Sequence, residues 1–203
     1  MKIKALCATL LLLIGAQKAM AIEEASYVVL KSEGKFEVRE YAPHVVAETI
    51  VGGDLENAAS NAFEKLFRYI SGENVSRTKV EMTAPVSQKP ASEKIQMTAP
   101  VGQQRVKEQW AISFMMPKSY TLGSLPQPKD PSVVLRQVPA QKMAVVRYSG
   151  TWSEKNYSSH KSELESWMRK SGLTSAGSET WARYNPPFTL WFLRRNEVLI
   201  PVN

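Results

Sequence analysis

The sequence predicts an α+β fold in which duplicated strand-helix-strand units form a curved, mainly antiparallel sheet or distorted barrel flanked by two helices. Three observations carry that prediction. Segments with strand-like alternation outnumber those with helical periodicity, and hairpin-length connections dominate between them. Two amphipathic segments occupy matching places, each following a strand, a proline-containing turn, a second strand and a glycine. Residues 79–88 (KVEMTAPVSQ) share seven of ten positions with residues 94–103 (KIQMTAPVGQ), a repeat that lends weight to a larger duplication.

Each element follows in turn. Lys2 and Lys4, an apolar run over residues 5–15 and Ala19-Met20-Ala21 read as a secretory signal peptide over residues 1–21, cleaved after Ala21. The apolar run is too short to span a bilayer as a helix. Beyond it lies one domain, residues 22–203, of two pseudo-equivalent halves, about 26–118 and 131–203. In the first half a strand through Val38 and Glu40 leads to a turn at Pro43, a strand over 45–51 and Gly53. A helix follows, with Asp54 as N-cap, Leu55, Ala59, Ala62, Phe63, Leu66, Phe67 and Ile70 as its apolar stripe, and Gly72 as its stop. In the two MTAPV copies apolar residues alternate with polar ones, Val80, Met82, Ala84 and Val86, then Ile95, Met97, Ala99 and Val101. Both copies read as half-buried strands of a hairpin at the sheet margin, with Pro85 and Pro100 at strand ends, edges or bulges. Residues 110–116 (WAISFMM) read as a further strand, and the proline-rich stretch 120–131 connects the halves.

An offset of 97 residues lays Arg39 on Arg136, Ala47 on Ala144 and Gly53 on Gly150. The order of events repeats: a turn at Pro139, a strand over 143–148, Gly150, and a helix capped by Ser153. Tyr157, Leu164, Trp167 and Met168 form the second helix's stripe, and Gly172 ends it. Residues 188–193 (FTLWFL) and 197–202 read as the last two strands, joined by a tight polar turn at Arg194-Arg195-Asn196.

Composition removes several chemistries. The one cysteine, Cys7, lies in the leader, so the exported chain has no disulfide, thiol nucleophile, thiolate metal site or covalent haem attachment. Losing Lys2, Lys4 and Lys18 with the leader lowers the formal net charge from +7 to +4, and the remaining cations are interspersed with carboxylates. That pattern argues against nucleic-acid binding. No HExxH, phosphate loop or serine nucleophile motif occurs, so the chain does not read as an enzyme.

The segments FEVREYAPHVVAET, the doubled MTAPV, WAISFMMPKSYTLGSLPQPKDPSVVLRQ and RYNPPFTLWFLRRNEVLI closely resemble the SOUL haem-binding family, in order and over nearly the whole exported chain. The resemblance implies non-covalent binding of haem or a related tetrapyrrole. The position of an axial histidine proposed for some members looks like Glu40 here, and a carboxylate is a poor substitute for imidazole on haem iron. In other members the ligand lies in an apolar groove along the first helix with basic side chains at its rim. Those groove positions look like Phe63 and Phe67, with Arg68 as one basic position, whereas Ser60 and Thr189 stand at two further basic positions. His160 is the counterpart of Phe63 at the offset of 97 and joins the candidate ligand-contacting residues; His44 sits in a turn, and no metal ligand is assigned. The expected function is an exported carrier or buffer, periplasmic or secreted, for a small hydrophobic macrocycle, with no membrane anchor after cleavage. A hydrolase or degrading enzyme of the same fold superfamily, or a ligand-sensing envelope module, are the alternatives.

Overall fold

A computed structural model describes residues 22–77 and 92–203. Residues 1–21, expected from sequence to be a leader, and the first MTAPV copy, with Met82, lie outside the described residues. The elements run β1 (Tyr27–Glu33), β2 (Phe36–Tyr41), β3 (His44–Val51), α1 (Leu55–Ile70), β4 (Asn74–Val75), β5 (Val101–Val106) and β6 (Gln109–Met115). They continue with β7 (Gln127–Pro128), β8 (Val133–Val138), β9 (Gln141–Tyr148), α2 (Glu154–Lys170), β10 (Thr180–Arg183) and β11 (Asn196–Pro201). Among the described residues nine strands form one antiparallel sheet in the order β1-β2-β9-β11-β10-β5-β6-β3-β8, curled into an open half-barrel. β4 and β7 pair apart from it.

Both helices start where the sequence supplies a cap. Asp54 Oδ1 accepts the Asn57 N–H at 2.9 Å, and Ser153 accepts the Asn156 N–H at the head of α2. Both are followed by glycine in the left-handed region, Gly72 at φ 116 and Gly172 at φ 69. α1 lies on β3, β6 and β8, whereas α2 lies on β9 and β11. Ala58, Ala62, Leu66 and Tyr69 bury the inner face of α1, and Leu164, Trp167 and Met168 that of α2. Met143, Ala144, Val145 and Val146 are buried in succession, so both faces of β9 are covered.

One expected strand is absent and another starts late. Residues 188–193 form an exposed loop with a short 3₁₀ turn at Trp191–Leu193. The edge of β11 that they were expected to pair with is taken by β10, which places Arg183 opposite Asn196. Pro186 and Pro187, lacking N–H groups, start the loop instead of a ladder. In the second MTAPV copy the ladder with β6 and β10 starts only at Val101, and Ala99 makes a single parallel bridge to Glu24. Upstream, the backbone finds other partners: Ile95 N–H donates to Ile70 O, and the Asn74 side chain holds both the Glu93 N–H and its carbonyl. This stretch is held by the end of α1, by residues 23–24 and by the Thr98 hydroxyl on Met115 O, without running as a ladder strand before Val101.

Candidate functional site

α1 and the chain leaving β10 enclose a cavity of about 800 Å³. That lies within the roughly 300–1,000 Å³ of small-molecule and cofactor sites. Ala59, Ser60 and Phe63 reach it from α1, Val101, Gln103 and Ile112 from β5 and β6, and Met97 from the irregular stretch. Pro186, Pro187 and Phe188 close another side. The Phe63 ring meets Phe114 edge-on at 5.2 Å and stacks on Phe67 at 5.9 Å, so the core fixes its rotamer while part of it faces the cavity.

Cations gather at one place. Trp152 lines the cavity and donates its indole N–H to the buried Asn196 Oδ1 at 2.8 Å. The guanidinium groups of Arg194 and Arg183 lie 4.3 and 5.1 Å from its ring centre. Arg183 also donates to Gln103 Oε1 at 2.8 Å, and Arg194 donates to Thr189 O and Pro187 O at 2.8 and 2.7 Å. A mainly apolar chamber with two guanidinium groups held against one indole ring suits a flat hydrophobic molecule carrying carboxylates on one edge.

Tyr184 forms part of the wall and belongs to a buried ionic network. Its hydroxyl donates to Glu197 Oε2 at 2.8 Å, and the same carboxylate takes two hydrogen bonds from Arg39, at 2.8 and 3.2 Å. Arg195 bridges Glu197 and Glu24. Burial first, and the Glu197 carboxylate next, push the Tyr184 phenol well above its usual range. The phenol is therefore neutral at physiological pH and acts as a donor.

Of the four residues nominated from sequence, only Phe63 lines the cavity. Phe67 is 47% exposed behind it, and Arg68, in the last turn of α1, faces Glu73 and Asp130 at 3.6 and 3.9 Å. His160 is elsewhere: α2 packs it on the Tyr148 ring, 4.1 Å between centres, with Nδ1 3.1 Å from Glu163. His44 is on the sheet face turned away from the helices, lining a smaller cavity of about 370 Å³ with Glu48 and Arg136. Sequence reading missed Trp152 and Arg183 and assigned Arg194 to a hairpin turn. The one available signal was Asn185-Pro186-Pro187, which bars a strand directly after Arg183.

The profile of the SOUL heme-binding protein family matches residues 22–201. Heme-binding protein 1 of Mus musculus is 26% identical over 145 residues, 71% of this chain and 71% of that protein. Heme-binding protein 2 of Homo sapiens is 26% identical over 175 residues, 81% of this chain and 80% of that protein. Among solved structures, a hydrolase from Listeria innocua superposes with a TM-score of 0.60 at 13% identity, covering 86% of this chain and 94% of its own. The EcmrR C-terminal domain superposes with a TM-score of 0.53 at 11% identity, covering 83% and 96%. At those identities the structural likenesses speak to the fold alone.

Proposed function

We propose, from the premise that the chain belongs to the SOUL heme-binding protein family, that it binds haem or a related tetrapyrrole without covalent attachment in the cavity beside α1, as a carrier or buffer rather than a catalyst. The observation that carries this reading is that Arg183 and Arg194 both lie against Trp152 in the wall of a mainly apolar chamber that Phe63 also lines. A tetrapyrrole is an apolar plate with carboxylates on one edge, and the chamber offers it aromatic and aliphatic walls with two cations where those carboxylates emerge. When bound, haem would supply an iron centre. Of the cavity's own side chains, Met97 offers a thioether and Tyr184 a phenol already committed to Glu197. The affinity therefore comes from the plate and its carboxylates, and zinc or free-base porphyrin binds about as well as haem.

The test is a hemin titration followed at the Soret band, with mass analysis of the ligand afterwards. Replacing Phe63 by Glu is expected to abolish binding, while His44→Ala and His160→Ala leave the spectrum unchanged. Equal binding by Phe63→Glu refutes the site, and conversion of the ligand on incubation favours the hydrolytic alternative. Export is proposed from the leader, and N-terminal sequencing of protein recovered outside the cytoplasm, expected to begin at Ile22, checks it.

A further inference from the structure

The loop between β10 and β11 carries more apolar surface than a cavity wall needs. Phe188, Leu190, Trp191, Phe192 and Leu193 are all exposed, Phe188 at 85% and Trp191 at 57%. Single exposed apolar side chains are ordinary, but five large ones within a six-residue run make a continuous patch of the kind that marks a contact surface. The patch is also held in place. Thr189 N–H donates to Pro186 O, Leu193 N–H to Leu190 O, and Gly150 N–H to Trp191 O. The Arg194 guanidinium ties Pro187 O to Thr189 O. Folding these aromatic side chains inward would break that set of bonds.

Along the turn itself the formal charge has one sign. From Thr180 to Asn196 the sequence holds no Asp or Glu, and its charged residues are Arg183, Arg194 and Arg195. Arg195 is balanced by Glu24 and Glu197, whereas the contacts of Arg194 are carbonyl oxygens and the Trp152 ring, which leave its charge in place. Tryptophan, phenylalanine and leucine on a braced turn with guanidinium behind them match a bilayer interface, hydrocarbon at the tip and anionic headgroups at the level of the arginine. Continuity points the same way, because Pro186, Pro187, Phe188 and Arg194 also line the cavity. The turn is the rim of a chamber shaped for a molecule that itself partitions into membranes.

We infer that residues 188–193 dock the protein on an anionic phospholipid bilayer, with the cavity beside the membrane surface. Among the described residues no helix is long and apolar enough to cross a membrane, and the contact proposed is a shallow insertion at one leaflet. Docking needs no bound ligand; only its use in ligand loading rests on the tetrapyrrole reading. The experiment is co-sedimentation with vesicles of phosphatidylcholine plus phosphatidylglycerol, and of phosphatidylcholine alone, without haem. The wild-type chain and a Trp191→Ser/Phe192→Ser variant are compared, both with residues 1–21 and without them. The wild type is expected to bind the anionic vesicles, less so at high salt. The variant should bind at least about tenfold more weakly, with its thermal unfolding and its hemin titration in vesicle-free buffer unchanged. A wild type that stays in the supernatant, or a variant that sediments equally, overturns the inference. So does a wild-type dimer that the two substitutions make monomeric, which would assign the patch to a second copy. A failed hemin titration alongside retained vesicle binding would instead count against the tetrapyrrole reading alone.

Discussion

The resemblance to the SOUL family nominated Phe63, and helical periodicity placed it among the apolar residues of α1, but neither could reach Arg183. The stripe of α1 repeats at helical spacing over four turns, so periodicity alone puts Phe63 against the sheet. Arg183 ends a four-residue strand, and its approach to Trp152 depends on β10 pairing with both β11 and β5. No local pattern carries that information. Arg68 illustrates the opposite error: a cation on the nominated helix was taken for a rim residue, yet Asp130, far along the chain, faces it. The arginine pair gives a sharp expectation. Arg183→Gln with Arg194→Gln should weaken hemin binding about tenfold, the worth of a charge-assisted contact of about 1.4 kcal/mol. Porphyrin dimethyl ester, which has no carboxylates, should bind both chains equally; an equal loss for the ester would mean that the arginines shape the chamber rather than grip the ligand.

Caps, stops and stripes sit close together in sequence, and the two helices were accordingly readable to within a residue or so of their ends. The strands were readable where a short run rich in strand-forming residues is bounded by turn signals, as in β3, β6 and β9, and misread where proline intervenes. Alternation in the second MTAPV copy describes burial correctly for Ile95 and Ala99. It does not describe pairing, because Thr98 Oγ1 bonds Met115 O and Asn74 captures Glu93. FTLWFL has the composition of a buried strand and none of its contacts, since its place beside β11 was already filled. The cap of α2 can be weighed directly. Ser153→Ala removes the acceptor for Asn156 N–H and should cost about 1 kcal/mol. Urea unfolding followed by circular dichroism measures it, and no change in midpoint would mean that water serves the helix start as well.

Across the molecule, the phenols respond to burial together. Burial, then the Glu197 carboxylate, push Tyr41 up to about 12, and a hydrogen bond to Glu93 does the same for Tyr120, also to about 12. Burial likewise raises Tyr69, Tyr148 and Tyr157 above the usual phenol value. Below the ordinary value of 10.0 both folded and unfolded chains keep these protons, and the full stability is present. Above it the unfolded chain releases protons that the folded chain retains, so stability falls as pH climbs toward 12. The thermal midpoint should drop steadily across that interval; a midpoint that stays level as the pH climbs would contradict it. The interleaved strand order also has a consequence for how the protein comes into being. β2 joins the sheet only through β1 and β9, and β3 lies between β6 and β8. While the ribosome is still making the first hundred or so residues, the final neighbour of β2 does not yet exist. The nascent chain must therefore wait, oily side chains uncovered, until translation is nearly finished, so a cell making it in quantity will depend on holdase chaperones at the exit tunnel.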